Sequence, residues 1–207
     1  MNYNQIVDNI QAWTENDATE FTTKIPTIIN LAELRIYKDA DLTVARKEAN
    51  LGTPIVGQST LAAPADLVVP RWLRITNGEY LLQKDETFIR EYLSTASTTG
   101  TPKYYATAAS GTNFVFAPSF DSVSTLIRIG YTYRPAPLSA ANTTTWLSLN
   151  AWDVLLFACL VEAAGFMKME AQDLANWEAR YQAAVQALRV EEQRRRRTDE
   201  YRTGEIR

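Results

Sequence analysis

Between Ala151 and Ala164 the chain places Trp152, Val154, Leu155, Leu156, Phe157, Cys159, Leu160 and Val161, with only Asp153 and Glu162 charged. A helix lying on a protein surface alternates apolar and polar faces, whereas one that is apolar all round must be enclosed. This segment is too short, and too closely flanked by carboxylates, to span a bilayer. It is therefore predicted to be a helix buried on most sides, and the rest of the chain has to supply the elements that surround it.

Three other segments carry helical periodicity. From Ala171 onward, Leu174, Trp177, Tyr181, Val185 and Leu188 recur every three or four residues, which places them on one helix face. Extended through Arg197, this helix would be about 40 Å long at ~1.5 Å per residue. The apolar stripe ends at Leu188 or Val190, while helix-forming residues continue through Glu191, Glu192, Gln193 and Arg194 to Arg197. That pattern predicts a packed helix that becomes an exposed rod, followed by a polar arm from Thr198 that could reach about 35 Å. At the other end of the chain, Tyr3, Ile6, Val7, Ile10 and Trp13 predict a first amphipathic helix, and Asp17 is expected to cap a short one containing Glu20 and Phe21. A stronger helix is predicted over Thr23–Leu42, capped by Thr22 or Thr23, with Pro26 tolerated in its first turn. Its stripe is Ile25, Ile28, Ile29, Ala32 and Ile36, with Leu31 and Leu34 round the side, a face broad enough for two neighbouring helices. Glu33, Arg35, Lys38, Asp39 and Asp41 are expected on a solvated or intersubunit face.

Between these helical ends the character changes. Val44 to Arg134 is rich in Thr, Ser, Gly and Pro, with short β-favouring runs at 43–48, 59–62, 72–76, 80–83, 104–108, 113–117 and 125–133. Asn77-Gly78 signals a tight hairpin, and Ser110-Gly111-Thr112 a second one joining 104–108 to 113–117. Ile127, Ile129, Tyr131 and Tyr133 alternate with Arg128, Gly130 and Thr132, as in a half-buried strand. Asp85–Tyr92 is expected to be a short helix capped by Asp85, and Ser94–Pro102 an ordered surface loop. The resulting expectation is an α+β protein: a helical core from residues 1–42 and 135–193, an inserted β-rich module over 43–134, and a C-terminal arm over 194–207.

The chemistry that such a chain can perform is narrowed by what it lacks. It contains no histidine, which removes the usual general base, the Ser-His and Cys-His nucleophile pairs and the commonest transition-metal ligand. Its one cysteine, Cys159, falls in the buried segment, so a disulfide framework and a cysteine-ligated zinc site are excluded. Residues 1–13 have neither a basic start nor a continuous apolar core, so no signal peptide is expected, consistent with folding in a reducing cytoplasm. No G-x-S-x-G or phosphate-binding glycine loop occurs; Ser59, Ser110 and Ser119 stand in polar loops without a nearby base. Asp39 and Asp41 form a carboxylate pair of a kind expected by chance among 24 acidic residues. No catalytic, cofactor or metal site is therefore assigned. The rings of Tyr104, Tyr105, Phe114, Phe116, Tyr131 and Tyr133 could stack on bases, but few basic residues are interleaved with them, and a sheet core is the expected home of half of them. The Arg194–Arg197 run admits a nucleic-acid reading, as phosphate contacts, and a protein-docking reading, in which guanidinium forks meet carboxylates. The net charge of −3 and the flanking Glu191, Glu192, Asp199 and Glu200 favour docking, against the plainer alternative of a solvated helix end.

The order of certain segments resembles a known family. IPTIINLAELRIYKDADL at Ile25–Leu42 is followed by TTGTPKYYA at Thr98–Ala106 and YTYRPAPLS at Tyr131–Ser139. NTTTWLSLNAWDVLLFACLVEAAGFMK at Asn142–Lys168 and an Arg-rich end at Arg194–Arg202 complete the set. Together these segments resemble the adaptor, or head-to-tail connector, proteins of tailed bacteriophages, of the type joining portal to tail in short-tailed phages. The resemblance lies in the ensemble, since none of the segments is a chemical motif. It implies a non-enzymatic virion protein of the neck, assembled in the host cytoplasm and not associated with a membrane. It also implies a ring, usually of twelve subunits, below the portal ring, with genomic DNA passing through the lumen unread. The β module would meet the nozzle or tail tube. The docking arm would comprise Arg194, Arg195, Arg196, Arg197, Tyr201, Arg202, Ile206 and Arg207 and would contact the portal.

Overall fold

The computed structural model describes residues 1–76, 78–94 and 99–195. The chain divides into two compact units, one of Met1–Ala45 with Pro135–Arg207 and one of Arg46–Arg134. The fold is α+β, with a long C-terminal helix.

The first unit is helical. Its elements are α1 (Tyr3–Thr14), α2 (Thr19–Thr22), α3 (Ile25–Asp39), α5 (Trp146–Asn150), α6 (Trp152–Met167) and α7 (Ala171–Arg195); α4 (Glu86–Ser94) belongs to the second unit. As its composition requires, α6 is enclosed: Val154, Leu155, Leu156, Ala158, Cys159, Leu160, Val161, Ala163 and Ala164 are all buried, with α1, α3, α5 and α7 packed around it. Trp152 and Phe166 at its two ends remain exposed. Lys168, in a left-handed conformation, stops the helix, and its backbone N–H is taken by the Ala164 and Gly165 carbonyls.

The helix starts differ from expectation in instructive ways. Asn2 and Gln5 form a reciprocal capping box at the head of α1, as do Thr145 and Ser148 at α5. Asp17 does not cap α2, whose preceding residue is Ala18, and neither Thr22 nor Thr23 caps α3, which follows Lys24 directly. The backbone of Thr22 and Thr23 is already committed to the turn of α2, so α3 starts after it, with Pro26 in its first turn as expected. α3 lies against two helices, α6 and α7, as its broad face requires, while Leu31 and Leu34 stay exposed, at 47% and 42%.

The second unit is built from small sheets. Strands β1 (Arg46–Asn50) and β3 (Leu67–Ile75) flank β9 (Ile127–Tyr133), both antiparallel to it. A second sheet runs β2 (Thr60–Ala62), β7 (Asn113–Ala117), β6 (Tyr104–Thr107), β4 (Leu82–Gln83), and a third pairs β5 (Thr99–Gly100) with β8 (Ser119–Phe120). The hairpin between β6 and β7 is present, with Gly111 at φ +70° in its turn, a value that glycine tolerates freely. Asp85 caps α4 through the backbone N–H of Thr87 at 2.9 Å, as expected. Of the Asn77-Gly78 turn, Asn77 lies outside the described residues; Gly78 donates to the Ile75 carbonyl, and Tyr80 forms a bridge back to Arg74.

Period-two alternation accounts for the core of this unit. Phe114 and Phe116 project into a cluster with Leu73, Tyr105, Phe120, Ile127, Ile129 and Tyr131, while Val115 and Ala117 project the other way onto Ile89 of α4. Gly130 is required where it stands: a Cβ there would lie 2.3 Å from the Trp72 ring that covers it. The ends of this region diverged from expectation. Residues 43–45 form a single 3₁₀ turn rather than strand, β3 starts five residues before Trp72, and the two-residue strands β5 and β8 left no periodic trace to detect.

Candidate interaction surfaces

The groups that might support catalysis are committed elsewhere. Cys159 is fully buried, and burial pushes its thiol far above the ordinary range, leaving an inert core residue. Asp39 accepts a 2.6 Å hydrogen bond from the buried Tyr181 hydroxyl and lies 3.7 Å from Arg35. Among the described residues no group of three or more Asp, Glu or Cys side chains is placed to hold a metal ion. The rings considered as base-stacking platforms mostly line the sheet core: Tyr105, Phe114, Phe116 and Tyr131 are buried, and Tyr104 and Tyr133 half-buried.

Of the charged residues expected on a solvated or intersubunit face, Lys38 and Asp41 are exposed, whereas Glu33, Arg35 and Asp39 have partners inside the unit. Glu33 is 3% exposed; its carboxylate accepts from the Leu138 backbone N–H at 2.9 Å and from the Thr145 hydroxyl at 3.2 Å. It thereby fastens the chain that returns from the second unit, and these donors are the reason a charge is tolerated there. Burial raises its pKa, and the two hydrogen bonds offset that only in part. Arg35 sits between Asp39, Glu162 and Glu178, 2.6 Å from the last, with its guanidinium 4.4 Å from the centre of the Tyr181 ring. This cluster ties α3 to α6 and α7.

The end of α7 is also held within its own unit, which corrects the exposed rod expected beyond Leu188. Glu192 is 3% exposed and accepts from both the backbone N–H and the hydroxyl of Thr43, at 2.9 and 2.6 Å. Arg189 donates to the Asp39 carbonyl at 2.8 Å, satisfying one of the free acceptors at the end of α3. Arg195 pairs with Glu191 at 2.7 Å and Glu192 at 3.1 Å, and its guanidinium lies 5.2 Å from the Trp146 ring centre. The spacing 181, 185, 188, 192 continues the helix stripe without a break; Glu192 was overlooked because a carboxylate in a stripe reads as its end.

Of the docking-arm residues, Arg194 is exposed and Arg195 is engaged as described. Arg196, Arg197, Tyr201, Arg202, Ile206 and Arg207 lie outside the described residues.

Exposed apolar surface supplies further candidate contact sites. In the first unit Leu31 and Leu34 share the outer face of α3 with Lys24 and Lys38. In the second, Tyr80 and Leu82 are 61% and 60% exposed beside a groove of about 380 Å³ that Ile75, Pro102, Lys103 and Tyr104 also line. Phe88 and Tyr92 of α4 pack against Tyr104, at ring-centre distances of 5.4 and 6.0 Å, and extend this aromatic surface. Tyrosine-rich clusters of this kind supply large contact area at low entropic cost.

A family model described as SU10 adaptor protein matches residues 1–205. The comparison with curated proteins found no match.

Proposed function

The chain belongs to the SU10 adaptor protein family, a family of phage head-to-tail adaptors, and from that premise we propose that it joins the portal to the tail of a short-tailed phage. Identical copies, twelve to a ring, form a collar under the portal whose lumen continues the DNA channel. The helical core of residues 1–42 and 135–193 makes the ring wall. The β-rich module of 43–134 meets the nozzle or tail tube, for which the Tyr80–Leu82 groove and the Phe88–Tyr92 surface are suited. Of the arm expected over 194–207, the residues after Arg195 dock onto the portal. The protein acts in the virion neck, having assembled in the host cytoplasm, and its role is structural rather than catalytic.

The observation that carries this reading is the match over 1–205, which takes in both compact units and nearly all of the segment beyond α7. The engagement of Arg195 with Glu191, Glu192 and Trp146 speaks for a helix anchored at home up to that residue, with docking left to the residues after it. It also takes Arg195 out of any set of phosphate contacts, which weakens the nucleic-acid alternative.

The test is electron microscopy of the protein mixed with the portal ring of its own phage, comparing the full chain with one ending at Arg195. That end point keeps every home contact of α7 just described. A second ring under the portal with the full chain alone supports both the adaptor role and the arm. Decoration by both proteins removes the arm, and decoration by neither removes the portal assignment.

A further inference from the structure

The outer faces of the helical unit differ in charge, and the difference has a direction. Residues 1–23 contain Asp8, Glu15, Asp17 and Glu20 and no lysine or arginine. All four carboxylates are exposed, and none is ion-paired among the described residues. On α1 the spacing puts Asp8 and Ala12 on the face turned away from the buried Ile6 and Ile10, and the exposed Glu15, which ends the helix in a left-handed conformation, follows directly beyond it. The outer face of α3 carries Lys24 and Lys38, equally exposed and unpaired, with Leu31 and Leu34 between them. Both helices pack on α6.

An acidic face with a small residue at its centre and a basic face with two leucines at its centre complement each other. We propose that copies of this chain associate head to tail, the Leu31/Leu34 face of α3 on one copy seating against the Asp8–Ala12 face of α1, with Glu15 at its end, on the next. Lys24 and Lys38 then lie against the carboxylates of α1 and α2. Because the two patches differ, the contact is heterologous, and such a contact generates a closed ring or an open filament rather than a symmetric pair. Burying the leucines supplies the apolar centre of the contact, and the charges at its rim set partner and direction. This assignment rests on the ring reading above and names the surfaces that would make it.

The fully buried Cys159 leaves the native chain without a reactive thiol, so introduced cysteines report contacts without background. Leu31→Cys and Ala12→Cys chains, distinguished by a size tag, are mixed and treated with a short bis-maleimide, free in solution and on the portal ring. Mixing each at about 100 μM fills roughly two-fifths of even a contact with a Kd of that order. The expected product is the mixed Leu31–Ala12 dimer, and a chain carrying both cysteines should give a ladder. Adding Lys24→Glu and Lys38→Glu to the double-cysteine chain should abolish the ladder. Adding Asp8→Lys and Glu15→Lys as well should restore it, since reversing both faces regenerates the match. A like-with-like Leu31–Leu31 product, or no mixed product in either setting, overturns the proposal. Portal decoration by the unmodified chain separates the two readings. Decoration without the mixed product removes these faces and leaves the adaptor role, whereas the mixed product without decoration does the reverse.

Discussion

The two halves of α7 are held in opposite ways. Its first half presents the larger apolar side chains, yet Leu174 is 37% exposed and Trp177 only half-buried, touching Trp13 edge-on at 5.5 Å. Its second half ends in the charged residues Arg189, Glu191, Glu192, Arg194 and Arg195, yet Glu192 is buried against Thr43, Arg189 donates to the Asp39 carbonyl, and Arg195, paired within α7, lies over the Trp146 ring. The size of the apolar side chains and the charge at the helix end rank the halves one way and the packing ranks them the other. A helix face is buried where something stands opposite it; α3 and its continuation through Thr43 stand opposite the second half.

The centre of the stripe should be the most sensitive point. Val185 is fully buried, and Val185→Asp would place an unpaired carboxylate among α6 and α3 side chains without a donor to receive it. A cost of about 3–5 kcal/mol is expected, a large share of the ~5–15 kcal/mol by which a domain is stable. Thermal denaturation followed by circular dichroism would show it, and native stability in this variant would mean that the stripe is not the core contact of α7.

Glu192→Ala is the next largest. It strips the Thr43 N–H and hydroxyl of their acceptor and releases Arg195, for an expected loss of about 1–3 kcal/mol. Because Thr43 is itself exposed and water can replace part of the bond, the lower end of that range is favoured. Glu192→Gln keeps an acceptor and should recover most of the loss in the same denaturation assay. If both variants match the wild type, the second half of α7 is not anchored by its carboxylate.

What the sequence made readable follows from the same contrast. The enclosure of α6, the stripe through Tyr181, Val185 and Leu188, the β6–β7 hairpin and the alternation of β9 are all set by local spacing, and all appear in the structure. Glu33, Glu192 and the Arg35 cluster are set by partners more than 100 positions away, at Leu138, Thr43 and Glu178. No local pattern announces such pairs, and a glutamate that will be buried looks the same as one that will be solvated. The candidate surfaces were legible in part. Leu31 and Leu34 stood out of register with the main stripe, whereas the Tyr80–Leu82 groove depends on β4 lying beside β6, which no short-range signal specifies.

The buried carboxylate on α3 offers a smaller, pH-dependent test of the same idea. Glu33 has a pKa raised above its ordinary value by burial, so the folded state holds its proton more tightly than the unfolded chain does. That contribution to stability is fully present below the ordinary carboxylate range and is lost as pH rises through the raised value. Glu33→Gln keeps an acceptor for the Leu138 N–H and cannot ionise. Its melting temperature relative to wild type should therefore improve on going from mildly acidic to neutral pH. A difference independent of pH would show that Glu33 titrates as an ordinary surface carboxylate.

The smallest effect is expected at the position that hydropathy alone would rank among the most important. Leu174→Asp places a charge on a side chain already 37% exposed, one turn from the start of α7, where an added carboxylate also suits the helix dipole. The apolar area lost to water is modest, and the new charge stays hydrated, so the change should fall within about 1 kcal/mol of the wild type. Such a result, beside the large cost of Val185→Asp only eleven residues further along the same helix, would establish that α7 is anchored from its middle to its C-terminal end. Its first turns would then be free to take up contacts outside the unit. A loss comparable to that of Val185→Asp would instead mean that the Leu174 end is buried against a neighbour. A second copy of the chain is the obvious candidate, and the loss should then depend on protein concentration. Repeating the melt across a hundredfold dilution therefore distinguishes a stripe packed within one chain from a stripe packed between two.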